Sequence, residues 1–350
     1  MATTVRWKRR PEGSNWGEFG PGDQLGRLNL ITPERVRAAV AEVREGRRFC
    51  LSLPLDFPGG TAINATRLPP RLMPVMEGNQ PNMNFPYSRK NPRHRDVLCD
   101  DQVLLTLQYS TQWDALAHIG QEFDADDDGE AEIVYYNGFR AGEDIAGPVE
   151  YRPDGTQVET GQETGARALG VENMARAGLQ GRGVMIDFKA HYGEERVLVG
   201  YDALMRILEK DRVAVEPGDL VCIRTGFDEM LLSMNRQPDA AKLRGSFAAL
   251  DGRDKGLHRW ITESGLVALA SDNIAVEGTP ARACEDEHCT ALPLHELCLF
   301  KLGVYLGEFW HLSELADWLR AHGRSRFLLT APPLRLPGAV GSPVTPVATV

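Results

Sequence analysis

The chain has 350 residues, 42% hydrophobic and 25% charged, with 39 basic against 49 acidic side chains for a formal net charge of −10. That length suffices for one large domain or two ordinary ones, and the acidic balance, without a basic stripe carrying interleaved aromatics, excludes nucleic acid as the main partner. No apolar run reaches the roughly 18 residues of a membrane span, and the N-terminus MATTVRWKRRPEG lacks the apolar core of a secretory signal, so a cytoplasmic setting is expected.

Arg6-Trp-Lys8-Arg9-Arg10 is short and reads as a solvated tail. Asn15 to Gly26 is turn-rich, which makes residues 1–26 an N-terminal extension of a single domain spanning 1–350. Thr32-Pro33-Glu34 is a helix start, with Thr32 as N-cap and Pro33 in the first helical position, and the helix is predicted to run to about Val43. Phe49 to Leu55 alternates like a strand. Residues 58–98, rich in Pro, Asn, Arg and Gly, read as a long ordered loop, a lid or an oligomer contact. Val103 to Leu107 is an apolar run predicted as a buried strand.

That run leads into Gln108-Tyr-Ser-Thr-Gln112-Trp-Asp114-Ala-Leu-Ala-His118. If the strand persists, Gln108, Ser110, Gln112 and Asp114 share one face. Four polar side chains at even spacing after an apolar strand are costly to bury without partners, which suggests a site at the strand end. Trp113 points to the opposite face and reads as core first, substrate platform second. Asp124, Asp126, Asp128 and Gly129 match the first half of a calcium-binding loop, but Tyr135 stands where the bidentate acid belongs, so this is a solvated acidic loop. Tyr135, Tyr136 and Phe139 are candidates to line an aromatic pocket.

Further elements follow in order: a strand over 183–187, an amphipathic helix over 202–210, a strand over 220–224, a helix over 256–264 and a strand over 267–272. His295 begins an amphipathic helix closed by Gly303, Val304 to Glu308 is a short strand ending in an acid, and His311 to Ala321 is a helix. Strands and helices interleave without a regular repeat, which favours an α/β domain with a mixed sheet. The six cysteines are too sparse for a disulfide scaffold and read as reduced core residues. Cys284 to Cys289, with acids at 285–287, lacks the second Cys pair of a structural zinc site.

The stretch from Gln108 to His118 resembles the signature His-x-Gly-Thr-His-x-Asp-x-Pro-x-His of the cyclase family, which includes bacterial kynurenine formamidase and isatin hydrolase. It departs from that signature by placing Gln108 and Gln112 where the family has histidines and Leu116 where it has proline. With Tyr136-Asn137-Gly138 it is similar to a divergent branch of the family. The resemblance extends to Asp23–Asn29, Gly181–Asp187, Ser271–Glu277, His295, Glu308 and Leu336–Pro343, nearly the whole chain. It implies the family's swivelling β/β/α domain, a central mixed sheet or barrel, assembled as a homodimer or homotetramer. It also implies a hydrolase acting on a C–N bond of a small-molecule amide, formamide or lactam, arylformamidase-like. By the same resemblance Gln108, Gln112 and Asp114 fall on metal positions, His295 and Glu308 also reach the metal centre, and His118 is catalytic; the donor types suit zinc or manganese, with Asp114, His295, Glu308 and Gln108 as candidate ligands and Gln112 as a second catalytic residue.

Amide oxygens are weak ligands for zinc, so the two glutamines argue against a full binuclear site. His118 is expected to shuttle protons and Gln112 to hydrogen-bond the substrate carbonyl. Tyr136, Phe139 and Trp113 are the candidate substrate contacts. Two alternatives stay open: a metal-free acid–base enzyme on the same scaffold (cyclase, dehydratase or lactonase), and a non-catalytic small-molecule binding protein.

Overall fold

The structure is a computed structural model, and it describes residues 5–152, 155–284 and 288–350. Its centre is a nine-stranded mixed sheet. In chain order the strands are β1 Arg48–Cys50, β2 Gln112–Asp114, β3 Gln180–Asp187, β4 Leu220–Arg224, β5 Ala268–Ser271, β6 Tyr305–Glu308, β7 Arg326–Thr330, β8 Gly341–Pro343 and β9 Val347–Thr349. Across the sheet they run β1-β9-β7-β3-β4-β5-β6-β2-β8. The middle four, β3 to β6, are mutually parallel, and antiparallel strands flank them on both sides. β3, β4 and β5 are buried along their length, as parallel strands covered on both faces must be.

The sheet curls into a half-barrel, so that the chain leaving its β1 edge reaches strands on the far side. Ser52, just beyond β1, bridges to Trp310 beyond β6, and the Leu53 N–H donates to Thr111 Oγ1 at 2.9 Å, beside β2. Helices α1 Pro33–Val40, α2 Tyr201–Asp211, α3 Lys255–Ser264 and α4 Ser313–Ala321 lie around it. Thr32 caps α1 through Arg35, as the sequence predicts. The first turn of α4 is capped from a distance: Asp228 accepts the Leu312 and Ser313 N–H groups and the Ser313 hydroxyl.

Several expectations are corrected. Val103 and Leu104 lie in the exposed strand Asp101–Leu104, which pairs only with Arg71–Pro74 in a projecting two-stranded arm. An apolar run carries no information on whether anything covers it, and this one stands outside the main sheet. The strand also ends before Gln108, so only Gln112 and Asp114 of the four polar residues share a strand face. The opening segment is part of the body: Trp16 is fully buried and donates to Phe300 O at 2.8 Å, and Arg6 lies over the Phe139 ring. Cys284 and Cys289 are paired as a disulfide, and Cys50 and Cys99 are exposed, so only Cys222 and Cys298 are the expected buried thiols. The acids at 285–287 lie outside the described residues. Among the described residues no helix is long and apolar enough to cross a membrane.

Candidate metal centre

β2 lies between β6 and β8, and the register puts Gln112 directly opposite Glu308. Directly opposed antiparallel residues share a face, and Asp114, two residues on, shares it too. All three side chains are buried. His295 comes from the helical segment that starts at Pro293–His295 and continues through Glu296–Leu302. It reaches the same spot: His295 Nε2 lies 3.3 Å from Glu308 Oε1 and 4.0 Å from Asp114 Oδ2. Asp114, His295 and Glu308 thus bring three ligand atoms within 4.8 Å of one another.

Gln112 holds the two carboxylates in place. Its Nε2 donates to Asp114 Oδ1 at 3.0 Å and to Glu308 Oε2 at 2.9 Å. Both amide hydrogens are then committed, which leaves no donor for the substrate carbonyl expected of this residue. Gln108 lies before the start of β2. Its amide packs against Gly341, the residue paired with Asp114, where a Cβ would collide with it.

His295 has its ring fixed from behind by Glu277, 2.8 Å from Nδ1. Glu277 also accepts the Leu294 and His295 backbone N–H groups. A carboxylate on the far nitrogen of a ligating histidine orients the ring and leaves the near nitrogen for a metal. Glu277 occurs in the Ser271–Glu277 stretch of the family resemblance, but nothing in its own sequence neighbourhood gives it this task.

Burial works against a charge on His295, but the hydrogen bonds from Glu277 and Glu308 and the charges of Glu308 and Asp114 outweigh it and raise it to about 10. Burial, with repulsion from Asp114, pushes Glu308 up to about 7. A proton on His295 Nε2 faces the oxygens of Glu308 and Asp114, 3.3 and 4.0 Å away, the position a cation would take in its stead. Asp114 Oδ2, which lies 4.0 Å from His295 Nε2, is buried without a hydrogen-bond partner, as is Gln112 Oε1. Leaving a buried polar atom unmet costs about 1–3 kcal/mol, and more when it is charged. Two carboxylates and an imidazole suit zinc or manganese, so the residues present fit a divalent cation.

His118 stands at the rim. Its Nε2 lies 3.8 Å from Asp114 Oδ1 and its side chain is 19% exposed. Burial holds its pKa below the usual histidine range; Asp114 opposes this, and His295 and Arg67 add to it. The three expected substrate contacts are elsewhere. Trp113 is fully buried, donates to Ala331 O at 2.8 Å and packs edge-on to Trp310 at 4.8 Å. Tyr136 and Phe139 are in the same core cluster, so all three aromatics serve packing. A cavity of about 50 Å³ beside the cluster is lined instead by residues such as Ile63, Arg67, Tyr109, Ile274 and Phe309. Asp124, Asp126 and Asp128 also gather closely, but Asp124 caps the Asp128 and Gly129 N–H groups and Arg140 approaches Asp126, as expected of a solvated acidic loop.

Residues 51–278 match the family model "Cyclase: Putative cyclase". A crystal structure of a novel cyclase is similar at a TM-score of 0.73 and 32% identity, covering 96% of this chain and 99% of that one. Isatin hydrolase A from Ralstonia solanacearum aligns at a TM-score of 0.55 and 16% identity, covering 91% of this chain and 97% of its own. Isatin hydrolase A from Labrenzia aggregata, bound to benzyl benzoate, aligns at 0.54 and 15%, covering 87% and 93%. At such identity the two hydrolases speak for the fold alone. No curated protein sequence matches the chain.

Proposed function

The chain belongs to the cyclase family, and from that premise we propose that it is a metal-dependent hydrolase of a C–N bond in a small amide, formamide or lactam. The observation that carries this reading is the buried Asp114–His295–Glu308 cluster with Asp114 Oδ2 unpartnered inside it. A divalent cation held by these three residues supplies Lewis acidity and a water of lowered pKa.

The chain's own residues do the rest. Glu277 keeps His295 turned with Nε2 forward. Gln112 fixes the spacing of Asp114 and Glu308 and relieves part of their repulsion. His118, held neutral by its burial, takes a proton at Nε2 from the attacking water and returns it to the departing nitrogen. Self-association belongs to the same proposal: the arm exposes Leu72, Val103 and Leu104, an apolar surface of the kind homo-oligomers cover.

The test is elemental analysis of purified protein, with turnover on a panel of aryl formamides and lactams. The reading expects about one zinc or manganese per chain, lost in His295→Ala, and turnover abolished in His118→Ala with the metal retained. Absence of metal after reconstitution, or unchanged turnover in His118→Ala, refutes it.

A further inference from the structure

The cavity beside the metal cluster contains a cation that the mechanism above does not use. Arg67 comes from the 58–98 segment and reaches the cluster: Nη1 donates to Gln108 O at 2.8 Å and lies 3.8 Å from Glu308 Oε2. The second distance is too long for a hydrogen bond, and Glu308 is already engaged by Gln112 and His295. Among the described residues, Arg67 Nε and Nη2 have no partner, although the side chain is only 23% exposed. These spare donors are not fully buried, so they stand in contact with solvent at the cavity and are free to take both oxygens of an arriving anion.

Its position is fixed in advance. The Arg67 and Thr66 N–H groups donate to Asn64 O and Oδ1, and Leu68 N–H donates to Thr106 Oγ1, so the turn carrying it is pinned. Tyr109 pins the other side, accepting Gly59 N–H at 3.1 Å and donating to Gly60 O at 2.9 Å. The rest of the wall is largely apolar, with Ile63, Ile274 and Phe309, and Phe309 directly follows Glu308. The volume of about 50 Å³ has room for roughly three or four water molecules, the size of a carboxylate with its flanking carbons.

Resting on the hydrolase reading, we propose that Arg67 determines specificity by binding a carboxylate carried by the substrate outside the reacting amide, with the adjoining apolar carbons against Ile63, Ile274 and Phe309. The preferred substrates are then anionic amides. The planar fork of the guanidinium matches a carboxylate in a way a lysine does not.

The test is calorimetric titration of the protein with benzoate and with its neutral counterpart benzamide, in metal-free and zinc-loaded forms. The parent should bind benzoate roughly tenfold or more tighter than benzamide in both forms. Arg67→Met should abolish that preference and leave benzamide affinity unchanged, and Arg67→Lys should restore part of it. Thermal unfolding of each variant confirms that it is folded, and Arg67→Lys carries the test if Arg67→Met is not. No preference for benzoate in the parent, or a preference that survives in Arg67→Met, overturns the proposal; a preference seen only with zinc does so too, because the ion then binds the carboxylate. A protein that takes up no metal yet keeps an Arg67-dependent preference sinks the hydrolase reading and overturns the assignment of substrate specificity, leaving Arg67 as a carboxylate-binding residue alone.

Discussion

Glu277→Gln is the sharpest probe of the metal centre, because it changes one atom of a residue that touches no proposed substrate. Glu277 Oε1 accepts His295 Nδ1–H at 2.8 Å and His295 N–H at 3.1 Å, and the Leu294 N–H lies 3.1 and 3.0 Å from its two oxygens. A glutamine keeps one acceptor oxygen for the imidazole, but its NH2 then faces the Leu294 N–H, donor against donor. A hydrogen bond to a charged partner contributes about 1.5–3 kcal/mol, and losing it corresponds to roughly 10- to 150-fold in binding. Outer partners of ligating histidines change metal affinity by about 10- to 100-fold, in the same range. We therefore expect Glu277→Gln to weaken zinc binding by roughly 10- to 100-fold. The assay is competition against a chromophoric chelator, with thermal unfolding of the metal-free variant as a check on the fold. A folded Glu277→Gln protein that binds zinc within about twofold of the parent refutes the reasoning. Glu277 would then be only a cap for the helix at Pro293.

Two further predictions concern stability. Gly26 has φ +55°, and a Cβ there would lie 2.6 Å from Gly303 Cα, so Gly26→Ala should cost about 2 kcal/mol or more in urea unfolding from left-handed strain and overpacking together. Gly13→Ala, at φ +73° with open space around it, should cost only the strain; equal losses in the two variants would mean that the Gly26–Gly303 contact is unimportant. The third test is the pH dependence of the His311–Asp228 pair, whose atoms lie 2.8 Å apart. Its hydrogen bond to Asp228 raises His311, so that contribution is complete below the unfolded histidine value and fades as pH rises through the higher folded one. Burial opposes ionisation of Asp228, but His311 and Ser313 outweigh it and lower its pKa, so that contribution holds above the unfolded carboxyl value and fades as acid protonates the folded group. The melting-temperature gap between the parent and His311→Gln should therefore be widest between about pH 4 and 6.5 and shrink toward alkaline pH. A gap that is flat or grows with pH counts against the pair.

In the sequence the even spacing of polar residues after an apolar run pointed to Gln112 and Asp114, whereas His118, His295 and Glu308 were visible only through the family resemblance. Gln112, Asp114, His118, His295 and Glu308 all arrive in one region, although Gln112 and Glu308 are 196 positions apart. Buried elements such as β4 and α2 were legible from their periodicity. What escaped detection depends on surroundings rather than composition. Val103 and Leu104 are as apolar as core residues, yet they stand 48% and 64% exposed. Tyr136 and Phe139 look like pocket walls in sequence, but Arg6 and Trp16 from the N-terminal segment close over that region. Glu277 acts through His295, 18 positions away, and Arg67 is one of many arginines in an irregular segment, so neither carries a local signal.

The placement of β2 between β6 and β8 has a cost during synthesis. Gln112 and Asp114 leave the ribosome long before either neighbouring strand exists, since their partners are Leu306 to Glu308 and Gly341 to Pro343. At about 5–20 residues per second, the wait for Glu308 is on the order of 10–40 s. Throughout it Trp113, fully buried in the finished protein, has no core to enter. β1 waits longer still, because it pairs only with β9 at Val347–Thr349. Such long-range pairing slows folding and leaves apolar strands open to other chains. The nascent chain should therefore depend on chaperones more heavily than its finished stability would suggest.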